Sequence, residues 1–350
     1  IWLDYIDRGL LDEGGLQRLI DEDGLAGVTS NPSIFKKAIT TTGLYDDEIS
    51  SQADHGADAE DIYLELAVDD IRRAADVLRP VYDATDGADG FVSLEVSPHL
   101  AHDTETSVDQ ARVLWKRVDR PNLMIKIPGT LAGLPAIEQL IADGINVNVT
   151  LLFSVDRYRE VADAYMNGLE ARARRSLPVD GIASVASFFL SRIDSKVDDR
   201  LSDHPELQGK TAVACARTAY SLFGELSASP RWQKLAEFGA SPQRLLWAST
   251  STKNPEYSDV LYVDSLIGPQ TVNTLPPKTL EAYRDHGEPA QTIDNDLDAV
   301  AEQLRGVASA GIDLGKIADE LEAEGVQSFI EAYDQLLDAL DSERSRLRTA

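Results

Sequence analysis

Residues 123–128 read Leu123-Met124-Ile125-Lys126-Ile127-Pro128, an apolar, β-prone run interrupted by one lysine. Side chains alternate faces along a strand, so Leu123, Ile125 and Ile127 share one side and Met124 and Lys126 the other. Whichever face is the inner one, Lys126 points into apolar surroundings. Seven further runs have the same short, β-rich character: Ile1–Asp4, Gly27–Asn31, Phe91–Val96, Ile145–Leu151, Ile182–Ser187, Leu245–Thr250 and Thr271–Leu275. Helical periodicity fills the intervals, as in Asp61–Leu78, Ser107–Arg117, Ala132–Ala142, Val155–Ser176, Lys210–Ser227 and Lys278–Asp285. Eight strands alternating with helices imply parallel pairing through crossovers, and closure into an α/β fold of the (β/α)8 TIM barrel type. An open doubly wound sheet is the competing architecture, but no Gly-x-Gly-x-x-Gly follows the first strand.

The interval Phe35–Gly90 after the second strand exceeds one crossover helix and is expected to hold several. After Asp285 the chain is acidic and helical, with Leu321–Leu340 expected as a terminal helix packed over the barrel. No Gly/Ser linker or internal repeat divides the sequence. Residues 1–350 are therefore read as a single barrel domain with C-terminal helices from about 286.

The 350 residues include 33 Lys+Arg and 60 Asp+Glu, a net charge of −27, and 43% are hydrophobic. That composition belongs to a soluble globular protein and not to a disordered one. The acidity argues against a nucleic-acid partner, because neutralising phosphates takes clustered Lys and Arg. A small anionic substrate stays compatible if a few cations gather in one cleft. No run reaches the roughly 18–20 apolar residues of a membrane span, so no membrane association is expected. The single cysteine, Cys215, cannot close an intramolecular disulfide, and no Cys/His cluster has zinc-site spacing. Both point to a reducing compartment, by default the cytoplasm. The first residues, Ile1-Trp2-Leu3-Asp4-Tyr5, read as a strand and not as a signal sequence, and the missing initial Met suggests a lost N-terminal piece.

Lysine is almost never buried without a partner, because desolvating an ammonium is costly and the group tends to lose its proton instead. A lysine in the middle of a strand covered on both sides is thus a candidate nucleophile; the alternative is an edge position where the ammonium snorkels to solvent or pairs with a carboxylate. The run Ile145-Asn146-Val147-Asn148-Val149-Thr150 puts three polar residues on one face, a row that suits a wet site at the barrel mouth. Ser93 and Glu95 end the third strand in the same way. Asp4, Asn31, Ser187 and the Ala248-Ser249-Thr250 end add to the pattern. Active sites of such barrels lie at the C-terminal ends of the strands, so Asp4, Asn31, Glu95, Lys126, Asn148, Thr150 and Ser187 are expected to converge there. Polar loop entry alone would account for some of these positions, but not for the lysine.

A desolvated lysine amine can attack a ketone carbonyl to form a Schiff base, whose iminium is an electron sink for breaking or making the adjacent carbon–carbon bond. Asp4 or Glu95 could move protons directly or through a water held by Thr150. A phosphorylated sugar would need cations, and Arg192 and Lys253 lie where such a clamp is expected, although either could be a solvated surface residue.

These residues carry a family resemblance. Gly27-Val28-Thr29-Ser30-Asn31-Pro32-Ser33-Ile34-Phe35 resembles the Thr-Ser/Thr-Asn-Pro-Ser signature of transaldolases, and Leu123 to Gly133 resembles their second signature. The similarity continues through Gly144–Ser154 and Ser187–Arg192, and the long interval after the second strand, with Leu246–Thr250 and Thr271–Pro277, looks most like the longer bacterial subfamily. The resemblance implies a cofactor-free class I transferase of the pentose phosphate pathway. It would move a dihydroxyacetone unit from sedoheptulose 7-phosphate or fructose 6-phosphate to glyceraldehyde 3-phosphate or erythrose 4-phosphate. By position in the motifs, Lys126 is similar to the Schiff-base lysine and Asp4 to the general acid/base. Glu95 and Thr150 match the pair that holds the catalytic water, Asn31 and Asn148 those that bind dihydroxyacetone hydroxyls, Ser187 and Arg192 the phosphate site, and Phe189 the aromatic lining the pocket. The second phosphate cation does not align with the motifs, and Lys253 is taken for it. The implied partners are small-molecule sugar phosphates, with a homo-oligomer left open. The family barrel is understood as a permuted class I aldolase, and its fructose 6-phosphate aldolase relatives carry other polar groups at these places, which favours transfer.

Two other classes compete. A metal-dependent lyase would need a His/carboxylate cluster, and only His99 and His102 are close in sequence, on an expected loop where surface positions predominate; no metal site is expected. A non-catalytic acidic barrel has no reason to place an amine mid-strand. Trp2, Trp115, Trp232 and Trp247 are read as core or pocket packing.

Overall fold

The structure, a computed structural model, describes residues 1–347. Eight parallel strands close in sequence order: β1 (Trp2–Asp4), β2 (Gly27–Thr29), β3 (Phe91–Glu95), β4 (Leu123–Pro128), β5 (Val147–Leu152), β6 (Ser184–Phe189), β7 (Arg244–Ala248) and β8 (Thr271–Leu275). β8 pairs with β1, with Trp2 opposite Thr274 and Leu3 opposite Leu275, which completes the (β/α)8 barrel expected from the alternation. The crossover from β1 holds α1 (Arg8–Asp12) and α2 (Gly15–Asp23). The long interval after β2 holds three helices, α3 (Pro32–Thr42), α4 (Asp46–Asp54) and α5 (Ala59–Ala84). Single helices α6 (Thr104–Val118), α7 (Gly133–Asp143) and α8 (Val155–Arg174) follow β3, β4 and β5. Then come α9 (Ser191–Asp198), α10 (Thr211–Ala228) and α11 (Pro230–Glu237) after β6, and α12 (Leu261–Asp264) after β7. Beyond β8 lie α13 (Pro277–His286), α14 (Leu297–Ser309) and α15 (Leu314–Leu347).

Local chemistry explains where several elements depart from periodicity. β2 stops at Thr29 because Asn31 is already the N-cap of α3: its side-chain oxygen accepts from Ile34 N at 3.0 Å, and Pro32 fills the first helical position. β5 begins at Val147, and Asn146 serves the barrel floor. Its amide donates to Pro121 O at 2.9 Å and Leu123 O at 3.0 Å, and its oxygen accepts from Ala183 N at 2.9 Å. The expected polar row on β5 is therefore divided, with Asn146 tying loops at the strands' N-terminal ends and only Asn148 and Thr150 reaching the mouth. Alternation also fails beyond Thr150, where the register with β6 shifts between Val149 and Leu152 and Leu151 takes φ 61°. α5 extends beyond the periodic stretch Asp61–Leu78 at both ends and runs through Pro80.

The terminal helix α15 is longer at both ends than Leu321–Leu340 and does lie across the barrel, against α3, α4, α5, α9 and the end of β5. Trp2 and Trp247 are fully buried. Trp2 is seated by a missing side chain: a Cβ on Gly27 would stand 2.5 Å from the Trp2 ring. Gly27→Ala should therefore lower stability by about 1–3 kcal/mol in urea unfolding, because the ring has no room to retreat in a filled barrel. An unchanged midpoint would show that Trp2 is not locked against β2.

Candidate active site

Register brings three charged or polar groups side by side. Glu95 on β3 is opposite Lys126 on β4, and Lys126 is opposite Asn148 on β5. Lys126 is only 7% exposed, and its Nζ donates to Ser30 O at 2.7 Å while forming an ion pair with Glu95. An edge position with the ammonium in solvent is excluded, because the side chain points into a closed barrel, while the pairing with a carboxylate that the alternative also allowed is what the structure shows. Glu95 Oε1 takes no hydrogen bond beyond this ion pair among the described residues.

Asp4 faces the same lysine from β1. It accepts a 2.7 Å bond from Thr29 Oγ1, and that hydroxyl also meets Thr274 Oγ1 at 2.7 Å. Asn148 donates to Ser93 Oγ at 3.1 Å and accepts from Ser187 Oγ at 2.7 Å, so Ser187 is committed to the wall of the barrel beside Asn148. Together these groups line a cavity of about 130 Å³ with Asn31, Thr150, Phe189 and Arg192. A smaller space of about 20 Å³, enough for one water, lies between Glu95, Lys126 and Thr150 under Val326 and Phe329 of α15.

Burial dominates the electrostatics. It pushes the Asp4 carboxyl upward, opposed by the charge of Lys126 and the Thr29 bond. It pushes Glu95 upward too, opposed by Lys126 and reinforced by Asp4. At the rim, the Arg192 guanidinium lies 5.8 Å over the Phe189 ring. Lys253 does not line the cavity. It stands largely exposed on the segment after β7, donates to Ser251 Oγ at 2.9 Å, and its ammonium is pushed downward by partial desolvation and by the charge of Arg192.

All the residues expected from sequence except Lys253 therefore lie on one or both of these two adjoining spaces. Thr29, Thr274 and Ser249 join them; Thr29 and Ser249 lay in strand ends read as polar, and Thr274 lay within the eighth strand without a role assigned to it. Phe329 had no legible signal, being one aromatic residue in an acidic helix remote from every motif. His99 bonds Asp334 on α15 at 2.7 Å, and among the described residues no group of His, Cys, Asp and Glu is arranged to hold a metal ion. Among them, too, no helix is long and apolar enough to cross a membrane.

The raised carboxyl of Asp4 fixes a sign for stability. As pH rises the unfolded chain ionises first, so stability present below the unfolded pKa is lost on passing the higher folded one. Asp4→Asn should consequently melt at or above the parent temperature near pH 8, with the advantage shrinking as pH falls towards 4, while activity drops by about 10²–10⁴-fold. A variant that melts lower at pH 8 would mean that Asp4 stabilises the fold.

Comparison with known proteins agrees with this geometry. The sequence profile of the Transaldolase/Fructose-6-phosphate aldolase family matches residues 1–340. The chain is 50% identical over 344 residues to a transaldolase of Thermobifida fusca, covering 97% of this chain and 94% of that protein. It is 50% identical over 345 residues to a transaldolase of Mycolicibacterium smegmatis (97% and 93%), and 46% identical over 360 residues to transaldolase 2 of a Nostoc species (97% and 94%). With a closed eightfold barrel, a buried lysine at its mouth and this similarity along nearly its whole length, the chain belongs to the transaldolase/fructose-6-phosphate aldolase family of enzymes.

Proposed function

We propose that this enzyme transfers a dihydroxyacetone unit from sedoheptulose 7-phosphate or fructose 6-phosphate to glyceraldehyde 3-phosphate or erythrose 4-phosphate through a Schiff base at Lys126. The observation that carries the reading is the seat of that amine, buried between Glu95 and the Ser30 carbonyl and faced by Asp4. An ammonium cannot attack a carbonyl, so a proton must first leave. Glu95, in contact with Nζ and raised by burial, is positioned to take it. The neutral amine then adds to the ketone carbon, and Asp4 protonates the departing oxygen so that water leaves and an iminium forms. Asp4, now a carboxylate, takes the proton of the hydroxyl on the carbon beyond the scissile bond. That bond breaks, its electron pair flows into the iminium, and an aldose phosphate departs from a lysine-bound enamine.

The acceptor aldehyde reverses these steps, and water held near Glu95 and Thr150 finally hydrolyses the iminium and frees the amine. Asn31 keeps its side-chain NH₂ available while its oxygen caps α3, and with Asn148 it can hold the hydroxyls of the dihydroxyacetone unit. Arg192 and Lys253 are the groups suited to the phosphate; Ser187, bonded to Asn148, sits with the hydroxyl-binding wall and belongs to the same proposal. Phe189 and Phe329 shield the enamine from bulk water, which favours waiting for an aldehyde over release. The setting proposed is the non-oxidative pentose phosphate pathway of the cytoplasm, with residues 1–350 acting as one domain.

With fructose 6-phosphate and erythrose 4-phosphate, sedoheptulose 7-phosphate should form at least about tenfold faster than free dihydroxyacetone appears, and Lys126→Met should abolish both. Equal rates of the two products would make the enzyme a free aldolase instead.

A further inference from the structure

We propose that Tyr257 and Tyr262 are positioning residues that clamp the segment carrying Lys253 onto helix α9, so that Arg192 and Lys253 present one joined site to the phosphomonoester of a sugar phosphate. The proposal deepens the reading above and rests on it. Arg192 is the second residue of α9, whereas Lys253 belongs to the separate, largely exposed segment between β7 and α12. Among the described residues neither cation closes an ion pair with a carboxylate, although the charge of Glu324 on α15 acts on Arg192. Their like charges repel, so an empty site should drive the segment away from α9 unless something else holds it.

The fastening is built from two aspartates one helical turn apart on α9. Asp194 is 1% exposed; it accepts from Tyr262 Oη at 2.8 Å and from the backbone N of Ala212, at the start of α10, at 2.7 Å. Asp198 accepts from Tyr257 Oη at 2.7 Å and from Gly209 N at 3.0 Å. Residues four apart share a helix face, so both tyrosines grip the same side of α9. Gly209 has φ +69°, and a Cβ there would stand 2.7 Å from the Tyr257 ring, so the backbone is cleared for the ring to lie flush. At the near end Ser191 N donates to Ser249 O at 3.1 Å and the two hydroxyls meet at 2.8 Å. The serine contact fixes the root of the segment, Tyr257 its far side beyond Lys253, and Tyr262 the following helix. Lys253 is thus suspended between anchored points, and the entropy of bringing it to Arg192 is spent in folding and not in binding.

The test uses the full-length enzyme with fructose 6-phosphate as donor and unphosphorylated glyceraldehyde as acceptor, together with inhibition by inorganic phosphate. Borohydride inactivation with dihydroxyacetone, which has the carbonyl but no phosphate, reads the amine alone. Tyr257→Phe keeps the ring and removes one hydroxyl. It should raise KM for fructose 6-phosphate and the inhibition constant for phosphate about tenfold, the same direction expected of Lys253→Ala, while kcat and dihydroxyacetone trapping of Tyr257→Phe stay unchanged. Asp198→Asn, which keeps an acceptor, should lose less than Asp198→Ala. If Lys253→Ala raises KM while Tyr257→Phe does not, the positioning role is overturned and the phosphate clamp stands. Equal slowing of dihydroxyacetone trapping in Tyr257→Phe would overturn it as well, since the hydroxyl would then serve the fold at large. If neither variant moves KM, the clamp falls and the positioning role with it, while dihydroxyacetone trapping still tests the Schiff base separately.

Discussion

An ammonium buried inside a closed barrel is the constraint on which the rest of this site depends. Its desolvation is offset only by close partners: the carboxylate of Glu95 on β3, the carbonyl of Ser30 just beyond β2, and the field of Asp4 on β1. Both carboxyls are held above their ordinary values by burial, against the pull of the neighbouring lysine. A core made for stability alone would fill this space with apolar side chains. Strain of this kind at a barrel mouth is what a site for lysine chemistry requires.

Barrel closure turns residues far apart in sequence into neighbours. Asp4 meets Lys126 only because β8 returns to β1, and Thr29 and Thr274 meet across β1 for the same reason. The C-terminal helix then roofs the site through a local irregularity. Leu151 is held at positive φ, a conformation a leucine rarely adopts, by the shift of register between β5 and β6. Its side chain meets α15 at Gly325, where a Cβ would stand 2.9 Å from Leu151 Cδ2. A bulge below and a glycine above let the helix settle close enough for Val326 and Phe329 to cover the lysine.

Most of the barrel was legible because each strand is short, apolar and bounded by helical periodicity, and because a lysine in such a run has few innocent explanations. The two ends of β5 were not legible. Period-two alternation made Asn146 part of a row that the strand's true start excludes, and it could not foresee the bulge after Thr150. α5 also continues through Pro80, beyond the Asp61–Leu78 stretch that periodicity marked. Residue types marked Asp4, Asn31, Glu95, Asn148 and Thr150 because polar groups at strand ends need partners. Phe329 acts through tertiary placement alone, and a single aromatic in an acidic helix carries no mark of it. Lys253 lies between the two situations: its charge is visible in sequence, but its nearness to Arg192 depends on how one segment folds back on α9.

The central claim, that Lys126 is the amine that binds substrate carbon, is tested most directly by borohydride reduction in the presence of fructose 6-phosphate followed by peptide mass spectrometry. A reduced dihydroxyacetone or hexose adduct confined to the peptide containing Lys126, and absent from Lys126→Met, is the expected result. No adduct in the parent enzyme, or equal labelling in the variant, would show that the buried lysine is structural and that the chemistry lies elsewhere.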